Sequence, residues 1–146
     1  MRRLQALSFV ALAALAVGAP GCGQGGAASG ATVSVYAAAP LCKEARPRAG
    51  AVGDLRLRVV CLPPSGAGGI DLAAVGAGAR RAIEDSSSVA FLEAPGRGAE
   101  FSRSIVEAGG VAWIETGSGS AAMRRVRRAL EGSPSSPRQA VLDEVG

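Results

Sequence analysis

Apolar and polar positions follow distinct rhythms along this chain, and each rhythm predicts a different element. TVSVYAA (residues 32–38) alternates and is β-rich, and LRLRVVCL (residues 55–62) does the same after the turn residues Gly53 and Asp54. SVAFLE (88–93) and VAWIE (111–115) are short apolar runs of the kind found in buried parallel strands. Between and after the later runs the period lengthens to that of a helix. Asp71 caps a pattern that sets Leu72, Val75, Ala79 and Ile83 on one face, with Arg80, Arg81 and Glu84 outside it. Phe101, Ile105 and Ala108 make a second stripe, which Gly109 and Gly110 stop. Ser120 caps a third helix carrying Met123, Val126 and Leu130 inward and Arg124, Arg125, Arg127 and Arg128 outward. A last helix opens at Ser136-Pro137-Arg138-Gln139, which combines a capping box with proline at the first helical position.

Strands alternating with helices predict an α/β fold: a Rossmann-like open parallel sheet of about four strands, with helices on both faces, in a single lobe over residues 32–146. The first crossover, KEARPRAGAVGD (43–54), is the weak unit. Its proline and small residues leave room for about two helical turns, and it reads mostly as loop.

The amino end follows another logic. Arg2 and Arg3 precede an apolar run from Leu4 to Val17, broken only by Gln5 and Ser8; it is too short to span a bilayer and fits the apolar region of a signal peptide. Ala19-Pro20-Gly21-Cys22 then resembles a bacterial lipobox, which implies cleavage after residue 21 and lipid on Cys22. Residues 1–21 are thus expected to be signal peptide, and residues 22–31 a flexible glycine-rich tether. The expected location is the extracytoplasmic face of a bacterial membrane, held by the lipid anchor. Ordinary secretion, with a cut at Ala16-Val17-Gly18 and a spare thiol at Cys22, is the alternative.

Removing the signal leaves 125 residues, enough for one domain, in which 14 cations face 12 anions. That balance gives no electrostatic footprint for nucleic acid, despite a pI of 9.6 for the whole sequence. With no histidine in the chain, metal sites and imidazole catalysis lose their commonest residue, and neither a metal nor a cofactor is expected. Cys42 and Cys61 remain as an even pair. They fall near the carboxyl ends of adjacent parallel strands, about 5 Å apart sideways, so a bridge closing a loop of about 20 residues is feasible. Two buried free thiols are the alternative.

ATVSVYAAAPLC, RLRVVCL, DLAAVGAGARRAIEDSSSVAFLEAP and FSRSIVEAGGVAWIE together resemble the first lobe of type 1 periplasmic binding proteins, the branched-chain amino-acid receptors of ABC transporters. The likeness covers roughly residues 31–120. Ala77-Gly78-Ala79-Arg80-Arg81-Ala82 stands where the family has an arginine-containing helix, and Ser104-Ile105-Val106-Glu107-Ala108-Gly109 stands before its next strand. The resemblance implies an amino-acid or small carboxylate ligand, a permease partner, and contacts from the loops after the third and fourth strands. The first of these here offers Pro95, Gly96 and Arg97; it lacks the family's serine, and Arg97 can bind a carboxylate in its place or simply be solvated. The second offers Thr116, Ser118 and Ser120, whose hydroxyls and backbone amides suit an anion at a helix start; the plain alternative is a capped turn. Family receptors close two lobes on their ligand, whereas this sequence carries one, so a homodimer rebuilding the cleft is a further possibility.

Other patterns point less far. Gly117-x-Gly119-x-x-Ala122 fits a dinucleotide fingerprint as a string, but no strand ending in an acid follows it. Gly66-Ala67-Gly68 is weaker still. Glu93 and Glu115 both end strands on one edge, which alone makes no catalytic pair. The four arginines of MRRVRRAL suit an anionic membrane surface or simply a solvated helix face. The expectation is a lipid-anchored solute-binding protein without enzymatic chemistry, the alternative being a cell-envelope interaction module that kept the scaffold and binds no ligand.

Overall fold

A computed structural model describes residues 30–65 and 71–146 of the chain. In order, the elements are β1 (Thr32–Ala37), α1 (Ala39–Ala45), β2 (Gly50–Val52), β3 (Leu55–Cys61), α2 (Leu72–Glu84), β4 (Ser88–Glu93), α3 (Arg97–Ala108), β5 (Ala112–Glu115), α4 (Gly119–Leu130) and α5 (Pro137–Val145). They build one five-stranded sheet in the order β2-β3-β1-β4-β5. β3, β1, β4 and β5 run parallel, as the sequence predicts, and β2 pairs antiparallel with β3 as an added edge.

The sheet divides the core in two. Val33, Val35 and Ala37 of β1 face one side, with Leu41 and Ala45 of α1, Met123, Val126 and Leu130 of α4, and Val141 of α5. Tyr36 and Phe91 face the other, with Ala79 and Ala82 of α2 and Val106 of α3. Both faces of the central strands are therefore dry, which is why β4 reads as a short apolar run and why the alternating β1 keeps even Ser34 buried.

Local chemistry explains two of the helix ends directly. Asp71 caps α2, its carboxylate accepting from the amides of Ala73 and Ala74. After α3, Gly110 adopts φ 67°, and its amide and that of Val111 bond the carbonyls of Glu107 and Val106 in a Schellman motif.

Several expectations are corrected. The first crossover is not mostly loop: α1 begins at Ala39, with Pro40 in its first turn, and a 3-10 turn at Arg46–Arg48 leads into β2. The Gly53-Asp54 turn thus joins a hairpin. α4 is capped by Ser118, two residues before the expected Ser120. At α5 no capping box forms; Ser136 makes no side-chain cap, and Gln139 turns instead to Asp143 one helical turn on, at 2.8 Å. On α3, Phe101 is 40% exposed and Ala108 is exposed, because the buried face is Ala99, Ser102 and Val106. On α2, Leu72 is 47% exposed for a similar reason: the helix buries Gly76, Ala79 and Ala82 instead.

Candidate functional site

The chain leaves β1 toward β3 on one side, then returns past β1 to β4 on the other, so strand order reverses between β1 and β4. Open α/β sheets bind ligands in the crevice outside the carboxyl strand ends at such a reversal. Here that crevice is a cleft of about 640 Å³, within the range of small-molecule sites. Its walls come from Ala38–Pro40 after β1, Leu62 and Pro63 after β3, Ala94–Ala99 after β4, and one face of α2 with Val75, Gly78 and Arg81. Phe91 and Glu93 of β4 also line it.

The loop after β4 is shaped by its glycine. Gly96 has φ 152°, a conformation that side chains rarely adopt, and it is the N-cap of α3. It brings no side chain, so no hydroxyl or carboxylate caps the start of this helix. The candidate residues Pro95, Gly96 and Arg97 all line the cleft.

Glu93 is half-buried in the same lining. Its Oε1 accepts from the Ala94 amide at 3.1 Å, and its Oε2 meets the hydroxyl of Ser102, also at 3.1 Å. Ser102 is fully buried and accepts in turn from the indole N–H of Trp113 at 3.2 Å. Burial pushes the Glu93 carboxyl above its ordinary range; the Ser102 and Ala94 bonds oppose this, and Glu115, opposite it in the β4–β5 register, adds to it.

The second candidate loop is organised differently. The Thr116 hydroxyl accepts from the Ser118 amide at 3.0 Å, and Ser118 caps α4 through the Ala121 amide. The Ser118 hydroxyl also donates to Glu44 of α1 at 2.9 Å, and the Ser120 amide approaches the same oxygen at 3.4 Å. The Ser118 hydroxyl and the Ser120 and Gly119 amides hold the Glu44 carboxyl below its ordinary range. A carboxylate of the protein itself therefore occupies the start of α4. Thr116, Ser118 and Ser120 do not line the cleft, so the two candidate loops do not converge on one pocket.

Cys42 lies in α1, just beyond the carboxyl end of β1, and Cys61 closes β3; the two stand at disulfide distance with Cα atoms 5.5 Å apart. Cys22, the signal segment, most of the tether and Gly66-Ala67-Gly68 lie outside the described residues. Among the described residues, no helix is long and apolar enough to cross a membrane, and no group of ligating side chains could hold a metal.

The arginine-rich face of α4 is tied to its neighbours. Arg127 donates to the carbonyls of Arg48 and Ala51, Arg128 pairs with Glu144 at 3.1 Å, and Arg125 donates to the Glu144 carbonyl.

Sequence reasoning noticed Glu93 as a strand end but not its backing by Ser102 and Trp113, and it missed Glu44 altogether. The apolar run of SVAFLE ending in an acid was the available signal for Glu93; none existed for Glu44, whose partner is 74 positions away. Compared with family models, with curated proteins and with solved structures, the chain gives no match.

Proposed function

We propose that this chain is an extracytoplasmic solute-binding protein, anchored to a bacterial membrane through lipid on Cys22, that binds a small amino acid or carboxylate without converting it. The observation that carries the reading is the cleft at the strand reversal: it is of small-molecule size, mostly apolar, and supplied with a few polar groups from the loop after β4. The sequence likeness to amino-acid receptors of ABC transporters supports the same class and suggests a permease as the partner.

A second reading, a cell-envelope interaction module that binds no solute, is favoured by Glu44. One of the two loops that the family likeness assigns to ligand is already filled by this carboxylate.

A thermal-shift screen of the full-length chain in detergent, against amino acids and small carboxylates, separates the two. A ligand present at 100 times its Kd adds about 2.7 kcal/mol, enough to raise Tm by several degrees. No shift across the panel favours the interaction module. Mass spectrometry of the membrane fraction tests the anchor, which requires a diacylated Cys22; an unmodified soluble form refutes it.

A further inference from the structure

We infer that Glu93 makes the cleft selective for a small ammonium group carried on an apolar body. This rests on the reading of the cleft as a solute site and names the chemistry that the site recognises.

The carboxylate of Glu93 is underserved. An ionised carboxylate has about four acceptor positions. Here Oε1 receives one amide proton, from Ala94, and Oε2 meets one hydroxyl, that of Ser102. Even that hydroxyl is contested, because Ser102 Oγ also lies 3.0 Å from the Ala99 carbonyl and has a single proton to give. Among the described residues, the ion pairs are Arg58 with Asp85, Arg103 with Glu107 and Arg128 with Glu144, and none involves Glu93. The carboxylate opposite it on β5, Glu115, adds like charge.

The cleft lining that Glu93 shares is chiefly apolar, including Leu62, Val75 and Phe91. A ligand cation would take the acceptor positions that no protein donor holds and offset the half-buried charge, while its hydrocarbon part covered these side chains. Arg81 and Arg97, also in the lining, would attract an anion instead. Both are exposed, however, so a pair made with them is screened by water, whereas a pair made at Glu93 is partly desolvated. Depth therefore favours the cation.

Trp113 supplies a built-in reporter, since it is the single tryptophan of the chain and its indole N–H bonds the same hydroxyl that serves Glu93. When an ammonium takes over at Glu93, Ser102 is free to give its proton wholly to the Ala99 carbonyl, which changes the surroundings of the indole.

The test uses two probes with the same branched body and opposite charge, isobutylammonium and isovalerate, titrated calorimetrically and by tryptophan fluorescence into the full-length chain in detergent. Isobutylammonium is expected to bind at least tenfold more tightly than isovalerate and to change Trp113 emission. Glu93→Gln is expected to weaken isobutylammonium by tenfold or more and not to weaken isovalerate, from which it removes a like charge. Glu93→Gln is nearly isosteric, and an unliganded melt checks its fold; should it unfold, Glu93→Asp, which withdraws the charge by one methylene, is expected to weaken the amine alone. Binding of isovalerate without isobutylammonium overturns the inference and leaves the solute-binding reading standing. Amine binding that is indifferent to Glu93→Gln overturns it too, and binding of neither probe overturns it while the wider screen decides the solute-binding reading.

Discussion

The carboxylate of Glu44 on α1 sits at the start of α4, where the Ser118 hydroxyl donates to it at 2.9 Å. The amino end of a helix attracts negative charge, and here the protein satisfies that attraction from within. Glu44→Gln should therefore loosen α1 from α4. The Glu44 carboxyl is held below its ordinary range in the folded state, so its contribution is present at neutral pH and is lost as pH falls through that lowered value. Melting curves should show the variant less stable than wild type near neutrality, with the gap closing on strong acidification. A gap that stays constant with pH contradicts this role.

Gly119 is the steric counterpart of that contact. A Cβ at this position would collide with the carbonyl oxygen of Leu41 and press on the amide of Ala45, so the close approach of α4 to α1 depends on glycine. Gly119→Ala should cost about 1–3 kcal/mol, as overpacking does in a well-filled core. Urea denaturation reads this directly, and an unchanged midpoint would show that the two helices separate at little cost.

Glu93 has the opposite pH signature. Its carboxyl is raised in the folded state, chiefly by burial, with Glu115 adding to the rise and Ser102 and the Ala94 amide opposing it; Arg81 and Arg97 are the cations in the same cleft. A native state that holds its proton more tightly than the unfolded chain is favoured at low pH and loses that advantage as pH rises through the raised value. Glu93→Gln should thus match wild type in acid and exceed it in stability near neutrality. Paired melts across that range check the sign; a variant that is less stable at neutral pH contradicts it.

Cys42 of α1 and Cys61 at the end of β3 stand at disulfide distance. A bridge there closes a loop of about 20 residues and contributes roughly 3 kcal/mol in the chain-entropy model. Replacing both with serine, or adding reductant, should lower stability by that order. Peptide mapping without reductant should recover residues 42 and 61 in one linked species, and free thiols at both positions reject the bridge.

Legibility in the sequence tracks how local each determinant is. The four parallel strands declared themselves through β-rich alternation or apolar runs, and the Asp71 cap and the Gly109-Gly110 stop depend on neighbours a few residues away. β2 did not, because only Val52 of its three residues is buried and its pairing with β3 supplies the rest. On α3 the apolar stripe pointed to Phe101, but the helix turns Ser102 inward, where Glu93 and Trp113 satisfy its hydroxyl. A serine buried by bonds to neighbouring strands, 9 and 11 residues away, looks like a surface residue on the helix's own pattern. The candidate site divided in the same way. Pro95, Gly96 and Arg97 could be found because they follow a recognisable strand, whereas the closure of the Ser118 loop by Glu44 depends on two helices that meet only in the folded chain.

The most direct test of the central claim is the thermal-shift screen of the full-length chain, repeated on two variants. Ala77→Trp places a large ring at the exposed lip of the cleft, and Ser118→Ala with Ser120→Ala alters the start of α4 without touching the cleft lining. A ligand bound at the strand reversal should raise Tm by several degrees in wild type and in the serine variant, and should fail to do so with Ala77→Trp. A shift lost in the serine variant but kept with Ala77→Trp, or no shift with any solute, contradicts a binding site in this cleft.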